Sequence, residues 1–264
     1  MLLQKSSIHS CTIVVVFTLA LFSIVFSEQC FSQINTQNVT STNCNIYINH
    51  SQTLKNSIMC NYENGIIIND NNITLDLNSS ALLGSGYLNP YTGIIISDKS
   101  NILLKGSGSV GHYQTGLLID NSTNIDISSL NFTANEISIL VKNSSYIKID
   151  DNNLYTNTAG VKLYNVNNSS ISNNYFESND ISAISLFTSK NNTLNNNSIS
   201  SSLNGIYLDP ESQNITIDSN RFSRSFGVDI NLGNGGKINQ SLGQVFNNTC
   251  HVTIPELLCA KKDS

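Results

Sequence analysis

Gly116-Leu117-Leu118-Ile119, Ser138-Ile139-Leu140-Val141, Gly160-Val161-Lys162-Leu163, Ala183-Ile184-Ser185-Leu186 and Gly205-Ile206-Tyr207-Leu208 are variants of one tetrapeptide, a small residue followed by two apolar residues around a variable one. The same unit stands upstream at Gly65-Ile66-Ile67-Ile68 and Gly93-Ile94-Ile95-Ile96 and downstream at Gly227-Val228-Asp229-Ile230, so the lead residues are spaced 28, 23, 22, 22, 23, 22 and 22. A fixed period of this length marks a solenoid, in which each repeat is one coil. A second triplet follows in every period: Ile73-Thr74-Leu75, Ile102-Leu103-Leu104, Ile125-Asp126-Ile127, Ile147-Lys148-Ile149, Ser169-Ser170-Ile171, Asn192-Thr193-Leu194 and Ile215-Thr216-Ile217. A third strand is marked by Phe132, Leu154, Phe176, Ile199 and Phe222. Alternation with period two turns the outer members of each triplet inward and the middle one to solvent.

One such coil cannot bury its apolar face alone, so successive coils stack about 4.8 Å apart and like residues form columns. Asn aligns in the same way, with Asn152, Asn174, Asn197 and Asn220 one rung apart at one turn and Asn135, Asn157 and Asn179 at another. Stacked amides of this kind hydrogen-bond to turn backbone and to one another, which gives the Asn richness a structural meaning. A leucine-rich repeat has a similar period but needs Leu-x-x-Leu-x-Leu and a helical segment. These repeats are Ile-led, rich in Ser and Asn, and carry no helical stretch.

The 264 residues, 39% apolar, suffice to fill a core. Only 12% are charged and the net charge is −5, so no basic stripe exists to neutralise nucleic-acid phosphates. Lys5 and the apolar run Cys11 to Phe26, ending at small residues Val25 and Ser27, read as a signal peptide over 1–27. Uncleaved, the same run is a signal anchor just short of the roughly 17 to 25 residues that span a bilayer. It is the one expected contact with membrane. Residues 28–43 form a leader or cap, 44–249 the solenoid and 250–264 a C-terminal cap that shields the last rung's edge. Export gives an oxidising compartment, in which Cys44 with Cys60 and Cys250 with Cys259 are expected to form two local disulfides, one at each end. Cys30 is left unpaired. No C-x-x-C occurs, and His50, His112 and His251 are far apart, so the sequence assigns no metal and no cofactor.

The pattern Gly-Ile-x-Leu, Ile-x-Ile, Asn-x-Phe resembles the parallel β-helix repeat shared by pectate-lyase-like and NosD-type proteins, over roughly Asn43 to Thr249. The stretch Cys44 to Asn78, with Asn72-Ile73-Thr74-Leu75-Asp76-Leu77-Asn78, resembles the first coil of secreted β-helix surface proteins, except that Ser79 stands where a Gly usually follows. The fold class implied is all-β, a right-handed single-stranded parallel β-helix of about eight rungs of 22–23 residues. The resemblance also implies an extracytoplasmic location and carbohydrate as the partner class, but fold does not fix activity.

The superfamily's lyases, hydrolases and glycan epimerases gather carboxylates and a base on one outward sheet. Here the second strand's outward column reads Thr74, Leu103, Asp126, Lys148, Ser170, Thr193, Thr216, with Asp126 and Lys148 as a solvated cross-rung pair. The first strand's column reads Ile67, Ile95, Leu118, Leu140, Lys162, Ser185, Tyr207, Asp229. Its apolar half implies either a covering segment, from before Cys44 or from the loop 82–92, or a protein contact surface. Asp209 and Asp229, expected about 8 Å apart beside Tyr207, are the best available pair for inverting hydrolysis, which needs about 6.5 to 9.5 Å. Arg221 and Arg224 near Asp218 are the candidate bases for elimination. No polygalacturonase-type Asn-Thr-Asp, Gly-His-Gly or Arg-Ile-Lys group occurs, and the lone mature Met59 does not suit NosD-type copper handling. The expected role is therefore a non-catalytic surface scaffold or binding module, with a polysaccharide lyase or glycoside hydrolase as the alternative. Sequons at Asn72, Asn121, Asn143, Asn191 and Asn214 permit N-glycosylation in a competent host.

Overall fold

A computed structural model of the chain describes residues 39–41, 44–223, 226–233, 243–256 and 258–259. The expected signal peptide, most of the leader and Arg224 lie outside the described residues. Three parallel sheets of ten, nine and nine strands run the length of the solenoid, and the chain visits them in rotation through about nine turns. The first sheet carries the lead tetrapeptides, from Ile46–Ile48 through Thr115–Asp120 and Ala159–Tyr164 to Val228–Leu232, and ends on Thr253–Ile254 of the C-terminal segment. The second includes Thr123–Ser128, Ser145–Asp150, Ser170–Ser172 and Thr193–Asn195, and the third Asn131–Thr133, Asn153–Tyr155 and Tyr175–Glu177. The turn more than the expected eight comes from the N-terminal end. Ile46-Tyr47-Ile48 pairs with Ile66-Ile67-Ile68 but lacks the lead glycine that would announce it.

Register follows the repeat closely, because a slip of one residue would turn every inward side chain to water. Leu117 pairs with Ile94 and Ile139, and Ile125 with Ile102 and Ile147. The last coil departs from expectation. Ile230, not Val228, pairs with Ile206, so the segment before it is two residues longer and Asp229 occupies the inward position of Gly205. The outward residue there is Asn231, opposite Tyr207.

Within a coil, the lead residue and the third-strand core residue share one volume. Coils with Phe132, Phe176 and Phe222 begin with Gly116, Gly160 and Gly205, and an added Cβ would lie 3.1, 2.9 and 2.5 Å from the respective ring. Where the third strand carries the slimmer Leu154 or Ile199, the lead position is Ser138 or Ala183, whereas in the two coils before Gly116 a lead glycine stands against Leu82 and Val110. Interiors are close-packed, so a methyl added against a ring must be removed elsewhere.

The corners are built from left-handed residues, most often Asn, whose short polar side chain tolerates positive φ. The ends carry the two cystine links, with Cα atoms 5.6 Å apart for Cys44–Cys60 and 5.8 Å for Cys250–Cys259. Of the outward apolar column, Ile67, Ile95, Leu118 and Leu140 are half-buried and Tyr47 is exposed. Val39–Ser41 pairs in the third sheet rather than covering this face, and the loop after Leu83 leaves Tyr87 and Leu88 exposed.

Candidate functional site

Asp209 and Asp229 are not brought together. Asp209 follows Leu208 while Asp229 precedes Ile230, so the two are offset by four residues along paired strands, about 14 Å by strand geometry. Each carboxylate already serves the backbone. Asp209 Oδ1 accepts from Ser212 N–H at 2.9 Å and from Ser212 Oγ–H at 2.6 Å, and Oδ2 accepts from Thr188 N–H at 2.9 Å. It thereby closes the corner Asp209-Pro210-Glu211-Ser212, which is one residue longer than the corner before it, as an Asx turn. Asp229, 1% exposed, accepts from the backbone of His251 at 2.6 Å and Val252 at 3.1 Å and stands 3.7 Å from the His251 imidazole. It pins the C-terminal segment onto the last coil. Asp218 accepts from Ser219 and Asn247, and Arg221 is exposed on the third sheet.

The described residues instead form an open groove of about 430 Å³ on the second sheet, lined by Tyr146, Ile147, Lys148, Asn168, Ser169, Ser170, Asn191 and Thr193. Its floor is the outward column Lys148, Ser170, Thr193, in register over three coils. Its wall is the corner column that precedes this sheet. That column reads Asn72, Asn101, Asn124, Tyr146, Asn168, Asn191, Asn214, all at φ between 51° and 59°. Around Tyr146 the side-chain amides form a ladder. Asn101 donates to Asn72 at 2.8 Å, Asn124 to Asn101 at 2.6 Å, Asn191 to Asn168 at 3.1 Å and Asn214 to Asn191 at 2.8 Å.

Tyr146 interrupts this ladder. Its backbone N–H still donates to Asn167 at 3.1 Å, but its ring, 60% exposed, cannot relay the amide bonds. A bulky residue in the left-handed region costs free energy, and since Tyr62 and Thr188 share that conformation in this chain, it is the break in the amide ladder that sets Tyr146 apart. Beside it, Lys148 Nζ lies 3.3 Å from Asp150, which also accepts from Ser172 and Asn173, each at 2.7 Å. Partial burial raises the Asp150 carboxyl, but the bonds from Ser172 and Asn173 and the adjacent Lys148 outweigh it and hold it below its ordinary value. One aromatic face, two hydroxyls and two amides over three coils suit a polyhydroxylated ligand, because apolar ring contact is combined with several donors and acceptors.

A family model described as a right handed beta helix region matches residues 115–254, just over half of the chain. The chain belongs to the right-handed β-helix family. No curated protein matches it by sequence. Solved structures to which it is similar include the tailspike protein of E. coli bacteriophage HK620 in complex with a pentasaccharide, with TM-score 0.56 and 13% identity over 69% of this chain and 39% of that one. Another structure of that tailspike gives TM-score 0.51 and 11% identity over 77% and 49%. A periplasmic alginate epimerase gives TM-score 0.45 and 11% identity over 84% and 78%. This right-handed β-helix thus spans about two fifths of the length of the first tailspike, and the likeness is one of fold.

Other polar columns of the β-helix are structural. Asn152, Asn174, Asn197 and Asn220 are buried, each amide donating to the next at 2.9 to 3.1 Å, and Asn248 continues the column. The spacing Asn220 to Asn248 is 28, outside the period of 22 to 23, so the last member does not stand out in the sequence. Asn135, Asn157 and Asn179 form the second buried column. Tyr164 and Phe187 stack with centroids 4.5 Å apart and Tyr207 tilts beside them, so these rings cover one another. The sequon residues Asn72, Asn121, Asn143, Asn191 and Asn214 are all exposed at corners. No cluster of three or more metal-ligating side chains occurs among the described residues. Tyr146 was legible in principle, since it alone breaks an Asn column spaced 29, 23, 22, 22, 23 and 23.

Proposed function

We propose that this right-handed β-helix is an exported, non-catalytic scaffold that binds carbohydrate in the groove flanked by Tyr146. The single observation that carries the reading is the replacement of Asn by an exposed, left-handed Tyr where the ladder would otherwise run unbroken. Folding favours Asn at that position on both conformational and hydrogen-bonding grounds, so the ring is retained for contact with something outside the chain. Ser170, Thr193, Asn168 and Asn191 supply the hydroxyl and amide groups that orient a sugar. The pentasaccharide held by the HK620 tailspike makes a glycan a fitting ligand for a β-helix face. The cystine links suit an extracytoplasmic setting.

The hydrolase and lyase alternative draws no support from Asp209 and Asp229, whose carboxylates each accept from backbone N–H groups and stand four residues apart along adjacent strands. Two measurements test the reading together. Glycan-array binding is expected for wild type and is lost in Tyr146→Asn. Release of reducing sugar or unsaturated uronate from a polysaccharide panel is expected to be nil. Turnover that disappears in Asp209→Asn and Asp229→Asn would make the protein an enzyme, and array binding untouched by Tyr146→Asn would remove the groove from the account.

A further inference from the structure

We infer that the groove takes an uncharged glycan and discriminates against uronates and other anionic sugars, an inference that rests on the groove being the binding site. The groove has one charged lining residue, Lys148, and its half-exposed ammonium is paired with a carboxylate. Asp150 lies 3.3 Å away on the same strand, and Asp126 is the register partner of Lys148 in the coil before. Asp150 is itself fixed by Ser172 and Asn173, and those bonds stabilise its anionic form. An acidic sugar would therefore have to compete with a held carboxylate for Lys148 while approaching two like charges.

The remaining floor is neutral. Ser170 and Thr193 present hydroxyls, and Asn168 and Asn191 present amides. Such groups bond to sugar hydroxyls without desolvating a charge, which is the costly step for a carboxylate. Lys190 precedes Asn191 but does not line the groove, and Asp151 adds a third acid beyond Asp150. The molecule as a whole carries −5, so long-range steering also opposes an anion.

The test uses matched ligands, each oligouronate alongside its carboxyl-reduced neutral form, titrated calorimetrically into the full mature chain at low and at physiological salt. Neutral forms are expected to bind at least tenfold tighter at low salt, with the gap narrowing as salt screens the carboxylates. Asp126→Asn with Asp150→Asn frees Lys148 and is expected to bring the acidic forms to within threefold of the neutral ones. Preference of wild type for the acidic forms, lost in Tyr146→Asn, would overturn the charge inference and leave the groove standing; the same preference lost in Lys190→Gln would overturn it through the rim cation. Binding of either form that ignores Tyr146→Asn, or no binding of either, would overturn the groove reading and this inference with it.

Discussion

Replacing Tyr146 by Asn should leave stability unchanged or raise it, although an aromatic side chain is being removed. Three contributions set the balance. Left-handed backbone costs a typical L-residue about 1–2 kcal/mol, most of which Asn escapes. The new amide would rejoin Asn124 and Asn168, whose partners in the column lie 2.6 and 3.1 Å away on their other sides, and two exposed hydrogen bonds at the low end of the usual range add about 1 kcal/mol. Against this, the ring is 60% exposed, so it buries about 80 Å² of the roughly 200 Å² a Tyr presents, worth at most about 2 kcal/mol. The net lies between about 0 and +1 kcal/mol, a midpoint rise of up to about 4 °C in a domain of this size. Urea and thermal unfolding monitored by circular dichroism measure it. A loss of 1.5 kcal/mol or more would show that Tyr146 holds the coil together, and the argument that it is retained for a ligand would fail.

Gly160→Ala is expected to cost about 1–3 kcal/mol by overpacking, since the new methyl meets the Phe176 ring and the Ala183 carbonyl. In Gly160→Ala with Phe176→Leu, which copies the Ser138 and Leu154 arrangement, a coupling of about 1 kcal/mol or more should recover part of that loss. Strict additivity in the unfolding cycle would refute the shared-volume reading. Asn174→Ala removes the partner of the Asn152 amide and backbone and leaves the Ile149 and Ser172 carbonyls without their donor, for an expected cost of about 3 kcal/mol or more in denaturant unfolding. The Asp150 carboxyl is depressed in the folded state, so its stabilising contribution is present above its unfolded value of about 4 and is lost as pH falls through the lower folded value. Acid unfolding of Asp150→Asn should therefore lose less stability than wild type on going from pH 5 to pH 2, and superimposable pH profiles would contradict the assignment.

The period of 22 to 23, the inward columns and the two buried Asn columns were legible in the sequence, because stacking makes one local rule repeat in every coil. Periodicity alone was sufficient there, since neighbours in space are neighbours by one period. The first coil was undercounted because Ile46-Tyr47-Ile48 lacks the lead glycine. Only tertiary structure decided the last coil. Extra residues before Asp229 moved it from the outward column to the place of Gly205, where its carboxylate meets the returning backbone of His251 and Val252. A turn's length changes register by whole residues, and register decides which side chain faces solvent, so the acidic pair read from spacing came apart when the strands were paired. The groove shows the complementary limit. The sequence displays Tyr146 in a column of Asn, but only the stacked corners, with Lys148, Ser170 and Thr193 in register beside them, turn that exception into a surface with one aromatic wall and a floor of one paired cation and two hydroxyls.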